Sequence, residues 1–385
     1  MAETYIIEPD LDFIKAVGAQ GGADLKKCYQ CATCSVVCPI SPDNKPFPRK
    51  EMIAASWGLK DKLVGSSDIW LCHNCGDCSV SCPREAKPGD VLAAIRAYAI
   101  SEYARPKALA KAMKNPRMLP VLLAVPAVLF LVVGLLTGLL DFTPDLSEGI
   151  KHYKFFSTWL VDIHMIPASI FAIAVFALSL KGFLRDIHQN AVAEGKTNKE
   201  TIEAGGFIAA LFKVIPDILL HRKFLQCTEN KERGISHLLT LYGFIGLFIV
   251  TAVVFVMIYG SYLLPDGPIH GPWSQLNPIK WLANLAGVSL IVGTSLMIKQ
   301  RSAKKDQISG YWDWYLVYLA FGLGVSGMAA ELTRLAGWAA VTFAIYYIHL
   351  ILVFAMIAYL PFSKLAHLVY RTVAMAYNEY AGRNF

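Results

Sequence analysis

Charge is scarce in this chain, and the gaps between charges are long. Asp, Glu, Lys and Arg make up 17% of the 385 residues against 55% hydrophobic ones, and the mean hydropathy is +0.44. That balance excludes an ordinary soluble globular protein. Cysteine is missing from most of the length, with only Cys227 beyond Cys82. The acidic opening Met1–Asp12 lacks an apolar core, so no cleavable secretory signal is expected. No NAD, flavin, molybdenum-type or hydrolytic constellation is recognisable, which puts terminal catalysis in another polypeptide. The letters of a dinucleotide fingerprint do occur at Gly322-Leu-Gly324-Val-Ser-Gly327. They sit inside an apolar run and follow no strand, so they read as close helix packing. The excess of Lys and Arg, 36 against 29, lies beside apolar runs and argues against nucleic acid as a partner.

What is present is concentrated. Cys28-Tyr-Gln-Cys31-Ala-Thr-Cys34-Ser-Val-Val-Cys38-Pro39 recurs at the same spacing as Cys72-His-Asn-Cys75-Gly-Asp-Cys78-Ser-Val-Ser-Cys82-Pro83. In this pattern the first three thiolates wrap one cubane cluster and the fourth, beside a proline, ligates the other. The expected sets are Cys28, Cys31, Cys34 and Cys82 for one 4Fe–4S cluster, and Cys38, Cys72, Cys75 and Cys78 for a second. Paired cysteine motifs also hold zinc, and secreted proteins oxidise cysteines to disulfides, but neither explains a duplicated rhythm ending in proline. Cys227 has no motif around it and is expected to be an ordinary free thiol.

Residues 1–115 are polar and carry the motif cysteines, whereas long uncharged runs begin near Met118 and recur to about Leu360. A mainly α-helical chain is predicted, with a ferredoxin-like head at 1–115 and a membrane domain at 116–385. Crossing a hydrocarbon core of about 30 Å takes about 20 helical residues. Six segments qualify, at about 118–140, 155–181, 236–264, 281–298, 312–333 and 338–362. The connection 182–235 holds eight basic residues, Arg185, Lys196, Lys199, Lys213, Arg222, Lys223, Lys231 and Arg233. The connection after the fourth segment adds Arg301, Lys304 and Lys305; those on the other side hold only Lys151, Lys154, Lys280 and Arg334. The positive-inside rule then places the head and the C-terminal tail in the cytoplasm of a multi-pass protein of the cytoplasmic membrane. Within the long connection, 206–224 reads equally as an interfacial helix or as a short helix packed on the head or a partner.

An imidazole at membrane depth is costly without a partner, so it marks function by default. His164, His237, His349 and His367 are the informative set. On one continuous helix His349 and His367 would share a face about 27 Å apart, a vertical separation that suits two haems stacked in a helical core. His164 and His349 lie at matched depth from the far side; His152 and His270 fall in loops expected to be exposed.

From His349 through Leu360-Pro361-Phe362 to His367, the chain resembles the last helix of the membrane gamma subunit of respiratory nitrate reductases. The resemblance implies that both histidines bind b-type haem. His237-Leu-Leu-Thr-Leu-Tyr-Gly-Phe-Ile-Gly246 is similar to that family's second helix, except that Leu247 stands where the family has another histidine. It further implies that His237 pairs with His367 at a cytoplasmic-side haem b, leaving His164 as the best-matched partner for His349 at a second, outer haem b. The cysteine repeat, Ile69-Trp70-Leu71 and the stretch from Asp90 resemble the small iron–sulfur subunit of heterodisulfide reductases. Both modules on one chain resemble a membrane subunit of the quinone-interacting membrane-bound oxidoreductases of sulfate-reducing microbes. That likeness implies electron exchange between menaquinone and cytoplasmic flavin and iron–sulfur subunits that serve adenylylsulfate reductase.

Quinol oxidation releases protons, so its pocket needs an ionisable group beside a haem. Asp162 and the Glu331/Arg334 pair are the outer candidates, and His221 is the inner one. For Glu331 the plainer reading is an i,i+3 ion pair at a helix end; for Asp162 it is a contact supporting a ligand histidine. Two other functions stay open: the anchor of a heterodisulfide-reductase-like or sulfite-reduction complex, and a haem-free anchor or transporter with a cluster-bearing regulatory head.

Overall fold

The structure, a computed structural model, describes residues 8–222, 226–229, 232–265, 267–303 and 310–383. Lys223, Lys231, Lys304 and Lys305, counted above in the basic connections, lie outside the described residues. Among the described residues there is no β-strand, and seventeen α-helices carry the fold, a mainly α architecture as the patterning predicts.

The head is built from α1 (Leu11–Val17), α2 (Thr33–Val36), α3 (Arg49–Ser56), α4 (Lys60–Val64), α5 (Asp68–Leu71), α6 (Asp77–Val80), α7 (Pro88–Tyr103) and α8 (Lys107–Lys114). Short helices suit a chain that must turn back repeatedly around its cysteines. The Asp10 carboxylate caps α1, accepting the Phe13 N–H at 2.8 Å. Pro88 opens α7, where its missing N–H leaves nothing unsatisfied; Val91, Leu92, Ile95 and Ala99 of that helix are buried.

The rest comprises α9 (Leu119–Thr137), α10 (His152–Phe155), α11 (Thr158–Ala193), α12 (Ala204–Leu219), α13 (Glu232–Ser261), α14 (Pro278–Ala303), α15 (Tyr311–Leu335), α16 (Ala339–Ala358) and α17 (Ala366–Tyr380). Six of these, α9, α11, α13, α14, α15 and α16, are long and apolar enough to cross a membrane. The α13–α14 contact is the closest in the bundle: a Cβ on Gly293 would lie 2.6 Å from Thr240 Oγ1, and one on Gly243 would lie 2.9 Å from the Leu290 nitrogen. Gly324 likewise meets Ile291 of α14, so the fingerprint-like run lies in a helix and packs closely, as small residues do in membranes.

Two helices differ from expectation. The second span runs on to Ala193, and its 36 residues reach about 54 Å. Polar Lys181, Arg185 and Asp186 hide this extension from hydropathy, but Phe183, Ile187 and Ala191 keep a helical spacing and are buried in the head's core. The helix expected to carry both His349 and His367 is broken. α16 stops at Ala358, Leu360–Phe362 forms a single 3-10 turn, and a new helix starts at Ala366. Pro361 lacks the N–H an α-helix needs there, and its ring collides with the preceding turn. The shared-face relation of the two histidines therefore does not hold.

Head and membrane bundle share a core. Trp70 of α5 is fully buried, stacked on Tyr370 of α17 at 5.1 Å and edge-on to Phe183 of α11 at 5.6 Å. Beside it, the buried Asp68 accepts from Lys196 Nζ at 3.0 Å and Arg383 Nη1 at 2.5 Å, and also pairs with Lys50. Burial pushes the Asp68 carboxyl up, but these three cations outweigh it and hold it well below the usual carboxylate range. α12 packs Ala210 and Val214 into the core with α17 and leaves Ile208 and Phe212 exposed. Residues 206–219 thus lie in a helix packed on the tail of its own chain.

Candidate functional site

The two cysteine motifs fold alike. Gln30 and Ala32 in the first, Asn74 and Gly76 in the second, all have positive φ. Each motif therefore turns sharply before one helical turn that carries its third cysteine, α2 for Cys34 and α6 for Cys78. Glycine takes this conformation without strain at position 76, whereas Ala32 holds it at a cost.

Cys28, Cys31, Cys34 and Cys82 line one cavity, with Gln30 and Arg84 at its wall. In the second group Cys38 lies within electrostatic reach of Cys72 and Cys75, and Cys78 of all three. The structure thus brings each set of three together with the fourth cysteine of the other motif. Burial pushes the Cys34 thiol up to about 11, with Cys28 next in effect, and the Cys38 thiol up to about 12. Free thiolates are costly there, and a bound cationic iron core removes that cost. The sulfurs also receive donors, from Gln30 Nε2 to Cys28 Sγ at 3.3 Å, Asn74 N–H to Cys72 Sγ at 3.3 Å and Ala86 N–H to Cys82 Sγ at 3.4 Å. The donor set fits an iron–sulfur core.

Cys227 departs from expectation. It is fully buried, against Cys75, with which it shares a hydrogen bond. The contact is made over 152 residues, so no local spacing announces it; the sequence offers only an unpaired cysteine.

At the membrane boundary four imidazoles and a guanidinium gather. Arg371 Nη1 donates to the Cys72 carbonyl at 3.2 Å, and Nη2 lies 2.7 Å from His73 Nε2. His221 Nε2 is 2.7 Å from His237 Nδ1, and His237 is close enough to be felt electrostatically by both His73 and His367. Burial pushes His73 far down, His221 down, and His367 down to about 3. Neutral rings are what metal ligation and hydrogen-bond acceptance require. Neither His73 nor Arg371 is marked by the sequence, since one hides inside a cysteine motif and the other looks like a tail charge.

The membrane histidines all commit Nδ1. His164 bonds the Leu160 carbonyl at 2.7 Å, His349 the Ser326 hydroxyl at 2.8 Å and His367 the Lys364 carbonyl at 2.6 Å. This is the tautomer-fixing contact seen at ligating imidazoles, and it leaves Nε2 for iron, so the ring chemistry fits a haem. His164 stacks on Phe130 of α9 at 4.3 Å, while His349 turns to Ser326 and Gly327 of α15. Leu247 packs into the bundle's apolar core. His152, expected in an exposed loop, is half-buried, 3.2 Å from Thr342 Oγ1, and His270 stacks on Tyr153 at 4.8 Å.

Among the quinone candidates, Asp162 accepts from the Tyr259 hydroxyl. Glu331 is held by Arg334 at 2.9 Å and Lys280 at 2.8 Å. A far-side cavity of about 300 Å³, lined by Phe142, Phe155, Phe343 and Tyr347 among others, has no ionisable carboxylate or imidazole in its wall.

Residues 24–86 match the family described as a 4Fe–4S dicluster domain. No curated protein and no solved structure matches the chain. A 4Fe–4S domain joined to six helices able to cross a membrane defines a membrane electron-transfer protein.

Proposed function

We propose that this chain is the quinone-linked membrane subunit of an oxidoreductase, carrying electrons between menaquinol and cytoplasmic flavin and iron–sulfur subunits that serve adenylylsulfate reduction. In this it would act as the membrane-embedded cytochrome b component of the quinone-interacting membrane-bound oxidoreductases does. Two 4Fe–4S clusters, on the crossed cysteine sets, and two b haems supply one-electron carriers when bound. His237 and His367 hold the inner iron, and His349 with His164 the outer. The head and tail face the cytoplasm, in keeping with the basic connections.

The observation that carries this reading is the Arg371 contact. One helical turn of α17 places His367 and Arg371 on the same side, and Arg371 grips the carbonyl of Cys72. A haem ligand and a cluster ligand are thereby joined by one short rigid element. The remaining residues do proton and positioning work: His221 supports His237, and Asp162 with Tyr259 offers a proton site at the other membrane face.

Purification from membranes with retained partners tests the proposal. A visible spectrum of b-type haem, about two per chain, with co-eluting flavoprotein is expected. A haem-free membrane domain would reduce the chain to an anchor for an iron–sulfur head.

A further inference from the structure

The two cysteine motifs differ in what stands two residues after their second cysteine. In the first, Thr33 follows Cys31 by two residues, and its Oγ1 lies 3.3 Å from Cys31 Sγ. In the second, the equivalent residue is Asp77, which offers no hydroxyl in that place. Asp77 instead accepts two backbone N–H groups from a distant segment, Thr228 at 3.1 Å and Glu229 at 2.7 Å. That grip brings in the preceding residue, Cys227. Its sulfur, Cys75 Sγ and an Asp77 oxygen all lie within 4.8 Å of one another. Arg233 adds a third tie, donating to the Asn74 carbonyl at 3.5 Å.

We propose that Cys227 is a positioning residue for the second cluster, donating its S–H to Cys75 Sγ in place of the hydroxyl that Thr33 supplies to Cys31. The inference rests on Cys75 being a cluster ligand. A ligating thiolate carries no proton and only accepts, so the proton of this sulfur–sulfur contact belongs to Cys227. Hydrogen bonds to ligand sulfur stabilise the more negative, reduced cluster and raise its potential. The connection from α12 to α13, ahead of His237, thereby sets the potential of the cluster on the membrane side of the head.

Potentiometric titration of the purified full-length protein, read by electron paramagnetic resonance, tests this. Cys227→Ala is expected to keep the wild-type iron content and lower the midpoint potential of one cluster only. Cys227→Ser, which keeps a donor, should restore most of that shift, and Thr33→Val should lower the other cluster alone. Cys227→Val, closer in volume, carries the same test if the alanine variant fails to accumulate. Two unshifted potentials at full iron content would overturn the donor role. Loss of one cluster's iron in the alanine and valine variants would overturn it too, by making Cys227 a ligand. A wild-type chain without clusters would instead remove the underlying reading.

Discussion

Arg371 and Cys72 meet across 299 residues of sequence, with the guanidinium Nη1 3.2 Å from the Cys72 carbonyl oxygen. Nη2 reaches the Leu71 carbonyl at 3.2 Å, and Arg96 shares the Cys72 carbonyl at 3.3 Å. The second cysteine motif is thus anchored to the tail helix that His367 opens. Replacing Arg371 by Ala leaves Cys72 its Arg96 donor but strips the guanidinium from the Leu71 carbonyl, at about 1–3 kcal/mol in general terms. The expected outcome is a lower melting temperature and slower haem-to-cluster transfer in rapid-mixing spectra, with haem content kept. Lys, lacking the planar fork, should recover little of either. Unchanged transfer in Arg371→Ala would separate the two centres functionally.

Cluster removal should follow the crossed sets. Two cubanes hold about eight irons, and Cys38→Ala or Cys82→Ala should each remove about half of that while weakening the shared α2–α6 region. The two variants are expected to lose different resonance signals. A head loaded with zinc and free of iron would end the assignment.

Haem loss should come in pairs. His237→Ala and His367→Ala are expected to empty the same site, and His349→Ala with His164→Ala the other, as read by pyridine haemochrome content and low-temperature spectra. His164 faces Phe130 while His349 faces Ser326, so this pair is the sharper test. Full haem content in His164→Ala would move the ligand to another residue, with His152 beside α16 next in line.

Much of this is legible in the sequence, and the failures have specific causes. Cysteine spacing is a local property, so the two sets can be read directly from the repeat. Six spans follow from hydropathy because uncharged runs have no other stable home. Pro361 is visible, yet apolar residues continue on both sides of it and mask the break. Cys227, His73 and Arg371 matter through contacts of long sequence separation, which no period or propensity records. Tyr259, the partner of Asp162, is hidden for the same reason, as one tyrosine among seventeen.

Proton chemistry should divide the two membrane faces. If quinol reacts at the outer face, Asp162→Asn lowers oxidation of a menaquinol analogue by about two orders of magnitude, the lower end of general-base effects, and Tyr259→Phe lowers it less. His221→Ala then lowers turnover no further than any loss of the inner haem accounts for. The reverse pattern, with haem content verified, would place the reaction beside His237.

The buried ion cluster at the head–tail junction should show itself in pH dependence. Burial pushes the Glu51 carboxyl up to about 8 from its ordinary 4.5, with Asp68 adding to the rise. The folded chain therefore holds a proton that the unfolded chain releases between those values, and stability falls as pH rises through that window. The melting temperature in detergent should decline more steeply from about pH 6 to about pH 8 in the wild type than in Glu51→Gln. Parallel slopes would show that Lys50 neutralises Glu51 fully.

The most direct measurement mixes the purified, oxidised full-length chain with a menaquinol analogue under anaerobic conditions and follows haem absorbance and cluster resonance together. An electron path from membrane to head predicts that the b-type haem bands reduce first and that a cluster signal then appears on the same chain, without added protein. Cluster-loaded chain whose membrane domain shows no haem band and takes no electrons from quinol would contradict it.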